Sequence, residues 1–163
     1  MLIGEAYYGR YRQEELRLRN LTGDLNLQDR ISFAGKQPFT ELVRQMQRSA
    51  ALILPSRAES LGMVLVEALA CGTPVVATRC GGPEDIVNEQ VGILVPPEDP
   101  EALANGIEHV LDHRMDYDPV KLRAHALENF GLESVGARLA HVYQEVMLQF
   151  RGSVPVELAV TNA

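Results

Sequence analysis

The stretch Ala51-Leu52-Ile53-Leu54-Pro55-Ser56-Arg57-Ala58-Glu59-Ser60-Leu61-Gly62-Met63-Val64-Leu65-Val66-Glu67-Ala68-Leu69-Ala70-Cys71-Gly72-Thr73-Pro74-Val75-Val76-Ala77-Thr78 reads as strand, polar turn, helix, tight turn and strand. Its first four residues are an apolar run closed by Pro55, and Val75 to Thr78 form a second run rich in β-branched residues. Short apolar runs bounded by Pro and Gly are buried strands. Residues 62–71 between them are apolar on nearly every face, so the helix they form is expected at the centre of the molecule. Two buried strands joined through such a helix make a parallel β-α-β unit.

Outward from this unit the alternation continues. Leu2-Ile3, Ile31-Ser32-Phe33-Ala34 and Gly92-Ile93-Leu94-Val95 read as further strands, and helices are expected over 11–22, 39–49 and 99–113, with Pro100 in the first turn of the last. The fold class is therefore α/β, a Rossmann-like parallel sheet with helices on both faces. After Asp112-His113 come two consecutive helices, 118–129 and 132–149, separated by Gly131 and expected to pack on the outside. Residues 1–150 form the domain and 151–163, without periodicity, read as a disordered tail. The chain opens on a strand with no strand-helix unit before it, whereas a doubly wound sheet places a central strand early in its order. Its N-terminus reads as an internal cut.

Composition narrows the function classes. With 22 acidic against 15 basic residues the net charge is −7, and no run of Lys or Arg is dense enough to track phosphates, which argues against nucleic acid. Cys71 and Cys80 are too few for a disulfide framework and point to a reducing cytoplasm. No apolar run approaches the ~20 residues of a membrane span. The expected location is cytoplasmic, with the inner membrane surface as the further option for a full-length protein.

The chemistry gathers in the quoted stretch. Glu67 is the one charged residue of the central helix, and a lone buried carboxylate is costly, so Glu67 is expected to have a hydrogen-bond donor. Glu59 stands eight positions earlier. At a helical rise of about 1.5 Å per residue the pair is on the order of 12 Å apart, the scale of a nucleotide-sugar from ribose to hexose. Between them lies the helix N-terminus, where Ser60 and the backbone N–H groups of Leu61, Gly62 and Met63 form an anion site for a diphosphate. Gly62 lets a phosphate approach the backbone closely.

The run resembles the signature of the family 4, or "group 1", retaining glycosyltransferases of the GT-B class. That signature is two glutamates with seven residues between, then Ala, a small residue, Gly, any residue, Pro and a Val-rich strand. The likeness extends to Phe33-Ala34-Gly35, to Gly81-Gly82-Pro83-Glu84-Asp85-Ile86-Val87, to Gly92-Ile93-Leu94-Val95 and to the region from Phe130 to Tyr143, covering roughly residues 1–148. The resemblance implies the donor-binding half of a hexosyltransferase. Glu67 would hold the ribose hydroxyls and Glu59, the catalytic candidate, the hydroxyls of the donor sugar. Gly35 and Lys36 would lie near the base, and Gly81-Gly82 near the sugar. Complete members add an Arg and a Lys that clamp the pyrophosphate, in a unit before the first strand here, and an N-terminal domain for the acceptor sugar, lipid or small molecule. By that reading the 163-residue chain alone is inactive.

Two rival functions remain open: a stand-alone nucleotide-sugar-binding module, and a GT-B epimerase, which needs an acid-base cluster that the sequence does not show. Single residues keep plainer readings as well. Gly81-Gly82 is equally a flexible turn, and Ser56 and Arg57 are either phosphate or sugar contacts or a strand-end cap and a solvated cation. Cys71 is a small packing residue, and the four histidines are ordinary helix residues. No metal and no cofactor are expected. The match of Asp116-Tyr117-Asp118 to an Asp-any-Asp metal motif is set aside because Asp118, before Pro119, is explained as an N-cap. Gly4 and Gly9 lack the three-glycine dinucleotide fingerprint.

Overall fold

The computed structural model describes residues 1–3 and 9–150, and the chain divides into two compact units, Met1–Arg48 and Ser49–Ala163. The expected tail and the Gly4 turn lie outside the described residues.

The first unit holds β1 (Leu2–Ile3), α1 (Gly9–Asp24), β2 (Phe33–Gly35) and α2 (Phe39–Arg48). β1 and β2 pair in parallel, Leu2 with Phe33 and Ile3 with Gly35, which requires the crossover that α1 supplies. The Arg19 guanidinium of α1 lies 4.2 Å over the Phe33 ring. That stacking ties helix to strand while the charge stays in water.

The second unit contains β3 (Leu52–Leu54), α3 (Met63–Ala70), β4 (Val75–Thr78), α4 (Pro83–Ile86), β5 (Gly92–Val95), α5 (Pro100–Asp112), α6 (Pro119–Phe130) and α7 (Leu132–Phe150). Its sheet has the order β3-β4-β5, all parallel, with Leu52 opposite Val75 and Val75 opposite Gly92. All four residues of β4 are buried, as a central strand covered on both faces must be. α5 covers one face: Val76, Val95 and Val110 form a cluster with Ile93, Leu103 and Ile107 packed against it. Gly106 permits the approach, since a Cβ there would stand 2.9 Å from Val95 Cγ1. α3 packs against β3 and β4 and buries Leu65, Val66, Ala68 and Leu69.

Helix starts follow the expected chemistry. Asp99 accepts from the Ala102 N–H and Asp118 from the Val120 N–H, each at 2.9 Å and each followed by Pro at the first helical position. Expected element ends differ by at most two residues from those observed, and α4 and a 3-10 turn at Arg114–Asp116 were not expected.

One expectation is refined and one corrected. α6 is anchored more firmly than its outer position required: Leu122 and Ala126 are buried, and Arg123 donates to the Ala70 carbonyl at the end of α3, 3.0 Å away. At the turn after α3, a Cβ on Gly72 would meet Pro119 Cβ at 2.9 Å. α6 thus covers the back of α3, whereas α7 has no buried residue. The correction is that α3 is not enclosed all round. Met63 is 51% exposed and Glu67 and Ala70 are half-buried, an i, i+4, i+7 stripe open on one side.

Candidate functional site

The loop between β3 and α3 is held through its backbone, by one side-chain donor and two backbone hydrogen bonds. The Thr78 hydroxyl donates to the Ser56 carbonyl. The Glu59 N–H donates to Cys80 O at 3.2 Å, and the Gly82 N–H to Glu59 O at 2.8 Å, so Glu59 and Gly81 form a parallel bridge beyond the ends of β3 and β4. The close approach requires glycine at both partner positions. Gly81 has φ 117° and a Cβ there would sit 2.7 Å from Glu59 O, and one on Gly82 would sit 2.3 Å from Leu61 Cα. Gly81-Gly82 is thus a packed seam rather than a flexible turn. Its own amides are engaged, Gly81 N–H donating to Glu84 Oε1 at 3.3 Å.

The seam sets the entrance to α3. Gly62 is the N-cap in the left-handed region (φ 82°, ψ 47°), no side chain caps the helix, and the Leu65 N–H turns back to Gly62 O at 2.8 Å. The N–H groups of Leu61, Gly62, Met63 and Val64 donate to no backbone carbonyl among the described residues. Donors left open at a helix start, at the positive end of its dipole, form an anion site. Ser60, Leu61 and Met63 are exposed and Gly62 is buried.

The two glutamates flank this entrance. The Glu59 side chain folds over it, its Cγ 3.4 Å from the position of a Cβ on Gly62. Glu67 lies one helical turn beyond Met63, so only about 6 Å of the separation is helical rise and the rest is loop. Both carboxylates are half-buried, and neither has a hydrogen-bond or ion-pair partner among the described residues. The donor expected for Glu67 is not supplied by any described residue: the open stripe of α3 leaves its carboxylate reachable from solvent. Its charge reaches Cys71, whose thiol is pushed above its ordinary value by burial first, lowered by Arg123 and raised again by Glu67.

Gly35 and Lys36 belong to the first unit. Gly35 ends β2 with φ 64° and open space beside it, Lys36 is exposed, and the Gln37 side-chain amide donates to the Ala34 carbonyl. Asp116 is exposed in the 3-10 turn, and no group of three His, Cys, Asp or Glu side chains among the described residues could hold a metal ion. His109 and His113 stack at 4.1 Å on α5, and His125 Nε2 is 2.9 Å from the Ile86 carbonyl. No described helix is long and apolar enough to cross a membrane. A cleft of about 470 Å³ along β5, lined by Arg79, Glu89, His109 and Tyr117 among others, contains neither Glu59 nor Glu67.

Sequence reading missed one feature, an ion pair between Arg57 Nε and Glu98 Oε1 at 3.1 Å. No local pattern joins two residues so far apart in sequence.

Residues 2–129 match the family model "Glycosyl transferases group 1". A D-inositol 3-phosphate glycosyltransferase of Streptomyces bingchenggensis is 37% identical over 142 residues, 83% of this chain and 30% of that protein. One of Acidothermus cellulolyticus is 35% identical over 148 residues, 90% of this chain and 33% of that protein. The chain thus spans about a third of the length of the curated relatives it matches. Among solved structures, Anabaena HepE in complex with UDP superposes with a TM-score of 0.77 at 27% identity, over 88% of this chain and 40% of that one. Sucrose-phosphate synthase of Thermosynechococcus elongatus gives a TM-score of 0.73 at 31% identity, over 84% of this chain and 35% of that one.

Proposed function

Because this chain belongs to the group 1 glycosyl transferases and has the Rossmann-like fold of the GT-B enzymes, we propose that it is a donor half, binding a nucleoside-diphosphate sugar for retaining transfer of a hexosyl group. The observation that carries this reading is the uncapped start of α3 between two carboxylates without partners among the described residues. The diphosphate sits on the amides of Leu61, Gly62 and Met63. Glu67 accepts hydrogen bonds from the ribose diol, and Glu59 from the hydroxyls of the sugar. Gly35 and Lys36 are proposed to lie near the base. UDP and UDP-glucose complexes of HepE support a nucleotide-sugar donor.

The contribution of this half to the reaction is electrostatic. Amides fixed at the helix start stabilise charge that grows on the leaving diphosphate, and the departing phosphate helps to take the acceptor's proton in a front-face attack that retains configuration. The acceptor is held by an N-terminal domain of the whole enzyme, and closure of the two domains excludes water. The alternative is a binding module without catalysis.

Calorimetric titration of the 163-residue chain with UDP, GDP and ADP, and with their glucose or mannose conjugates, tests the reading. Saturable binding of a nucleoside diphosphate, without transfer to any acceptor, is expected. Absence of affinity for every one of them would overturn the donor assignment, and transfer by this chain alone would overturn the need for a second domain.

A further inference from the structure

At the carboxyl ends of β3, β4 and β5 lies a cleft of about 350 Å³, lined by Pro55, Arg57, Thr78, Pro96, Glu98 and Leu103 among others. Ligands of open parallel α/β sheets bind outside this end of the strands. Across the cleft Arg57 pairs with Glu98, 3.1 Å apart, on side chains 83% and 66% exposed. An ion pair so open to water adds little to stability. Yet Glu98 holds a left-handed backbone, φ 58°, one of two non-glycine residues among those described to do so. Such a conformation is unfavourable for a residue with a Cβ, and a pair this weak does not compensate for it.

Arg57 is also the only Lys or Arg between Arg48 and Arg79, and it stands two residues before Glu59. Its neighbours Ser56 and Glu59 are pinned by Thr78, Cys80 and Gly82, so its long side chain can swing while its backbone stays in place. From this we infer that Arg57 is a phosphate-binding residue of the donor site and that Glu98 is the residue positioning it, holding the guanidinium at the cleft until a diphosphate displaces the carboxylate. This rests on the donor reading above. The exchange is favourable because a diphosphate carries more charge than Glu98 and accepts two parallel N–H bonds from the guanidinium. The strained loop at Glu98 keeps the competing carboxylate in reach.

The inference fixes signs that a structural role would not. Whichever of UDP, GDP and ADP binds wild type most tightly is titrated, with its parent nucleoside, into wild type, Arg57→Gln, Arg57→Lys, Glu98→Gln and the Arg57→Gln/Glu98→Gln double variant. Arg57→Gln should weaken the diphosphate on the order of tenfold and leave the nucleoside unchanged, with Arg57→Lys intermediate. Glu98→Gln should tighten the diphosphate a few-fold, and only where Arg57 is present. Equal losses for diphosphate and nucleoside, or a Glu98→Gln effect that persists without Arg57, overturn the inference while wild-type binding still upholds the donor reading. If wild type binds none of the three, both fall together.

Discussion

Replacing Glu67 by Ala separates binding from folding more cleanly than any other change in this chain. The carboxylate is half-buried, on the open stripe of α3, and has no partner among the described residues, so its removal leaves no orphaned donor and no cavity. Ala is at least as good a helix former as Glu, and stability should shift by no more than about 0.5 kcal/mol. For the nucleotide the loss is large. A hydrogen bond to a charged group contributes about 1.5 to 3 kcal/mol, so losing the contact to the ribose diol should raise Kd by roughly 10- to 150-fold. Glu59→Ala should leave sugar-free nucleoside diphosphate within about twofold of wild type and weaken only the sugar conjugate, by roughly tenfold. Calorimetry with paired nucleotide and nucleotide-sugar reads the affinities, and urea unfolding checks stability. Equal loss of sugar-free nucleotide in both variants, or an unchanged Kd in Glu67→Ala, would refute the assignment of ribose and hexose.

Gly82→Ala should destabilise the chain by about 1 to 3 kcal/mol in urea unfolding, because the new Cβ would lie 2.3 Å from Leu61 Cα and backbone must move to admit it. Wild-type stability in that variant would contradict the packed seam. On the alkaline side, burial raises both the Cys71 thiol and the Tyr117 phenol, so the folded chain holds these protons more tightly than the unfolded one. Their contribution is complete below the ordinary thiol value near 9.0 and is lost as pH rises through the raised folded values. Melting temperature should therefore fall above that pH, less steeply in Cys71→Ala; an identical fall in the variant would remove Cys71 from the account. Nucleotide Kd should be the same in EDTA as in Mg²⁺ or Mn²⁺, and unchanged by Asp116→Ala, since the helix amides meet the phosphate charge. A metal requirement abolished by that substitution would sink the metal-free reading.

How much was legible depended on whether the information was local. β4 could be read because a strand buried on both faces must be apolar throughout, and Val75 to Ala77 are. Asp118 announced its helix because a cap and the amide it accepts from are only two residues apart, and Pro100 marked the first turn of α5. The partner of α6 was not legible. Its pattern specifies one apolar face, but not that the face meets α3, nor that Arg123 reaches Ala70. α4 escaped because four residues after Gly81-Gly82 are too few for a helical period. Glu67 was misplaced for a related reason: hydrophobicity around α3 does not reveal which stripe, here Met63, Glu67 and Ala70, lacks a neighbour.

The construction of the loop explains why so much of a binding signature is glycine. Glu59 is aimed by its own backbone, whose N–H and carbonyl are tied to Cys80 and Gly82. The seam therefore needs two backbones in contact, which a Cβ at Gly81 or Gly82 forbids. Gly62 extends the requirement into the helix. Its left-handed turn lets Glu59 lie over the helix start and leaves the amides of Leu61 to Val64 without carbonyl partners. A polar N-cap side chain would bond to one of those amides and compete with a phosphate for it. A bare glycine at the cap keeps them for a ligand, and the stability forgone at the cap is the condition for an anion site between Glu59 and Glu67.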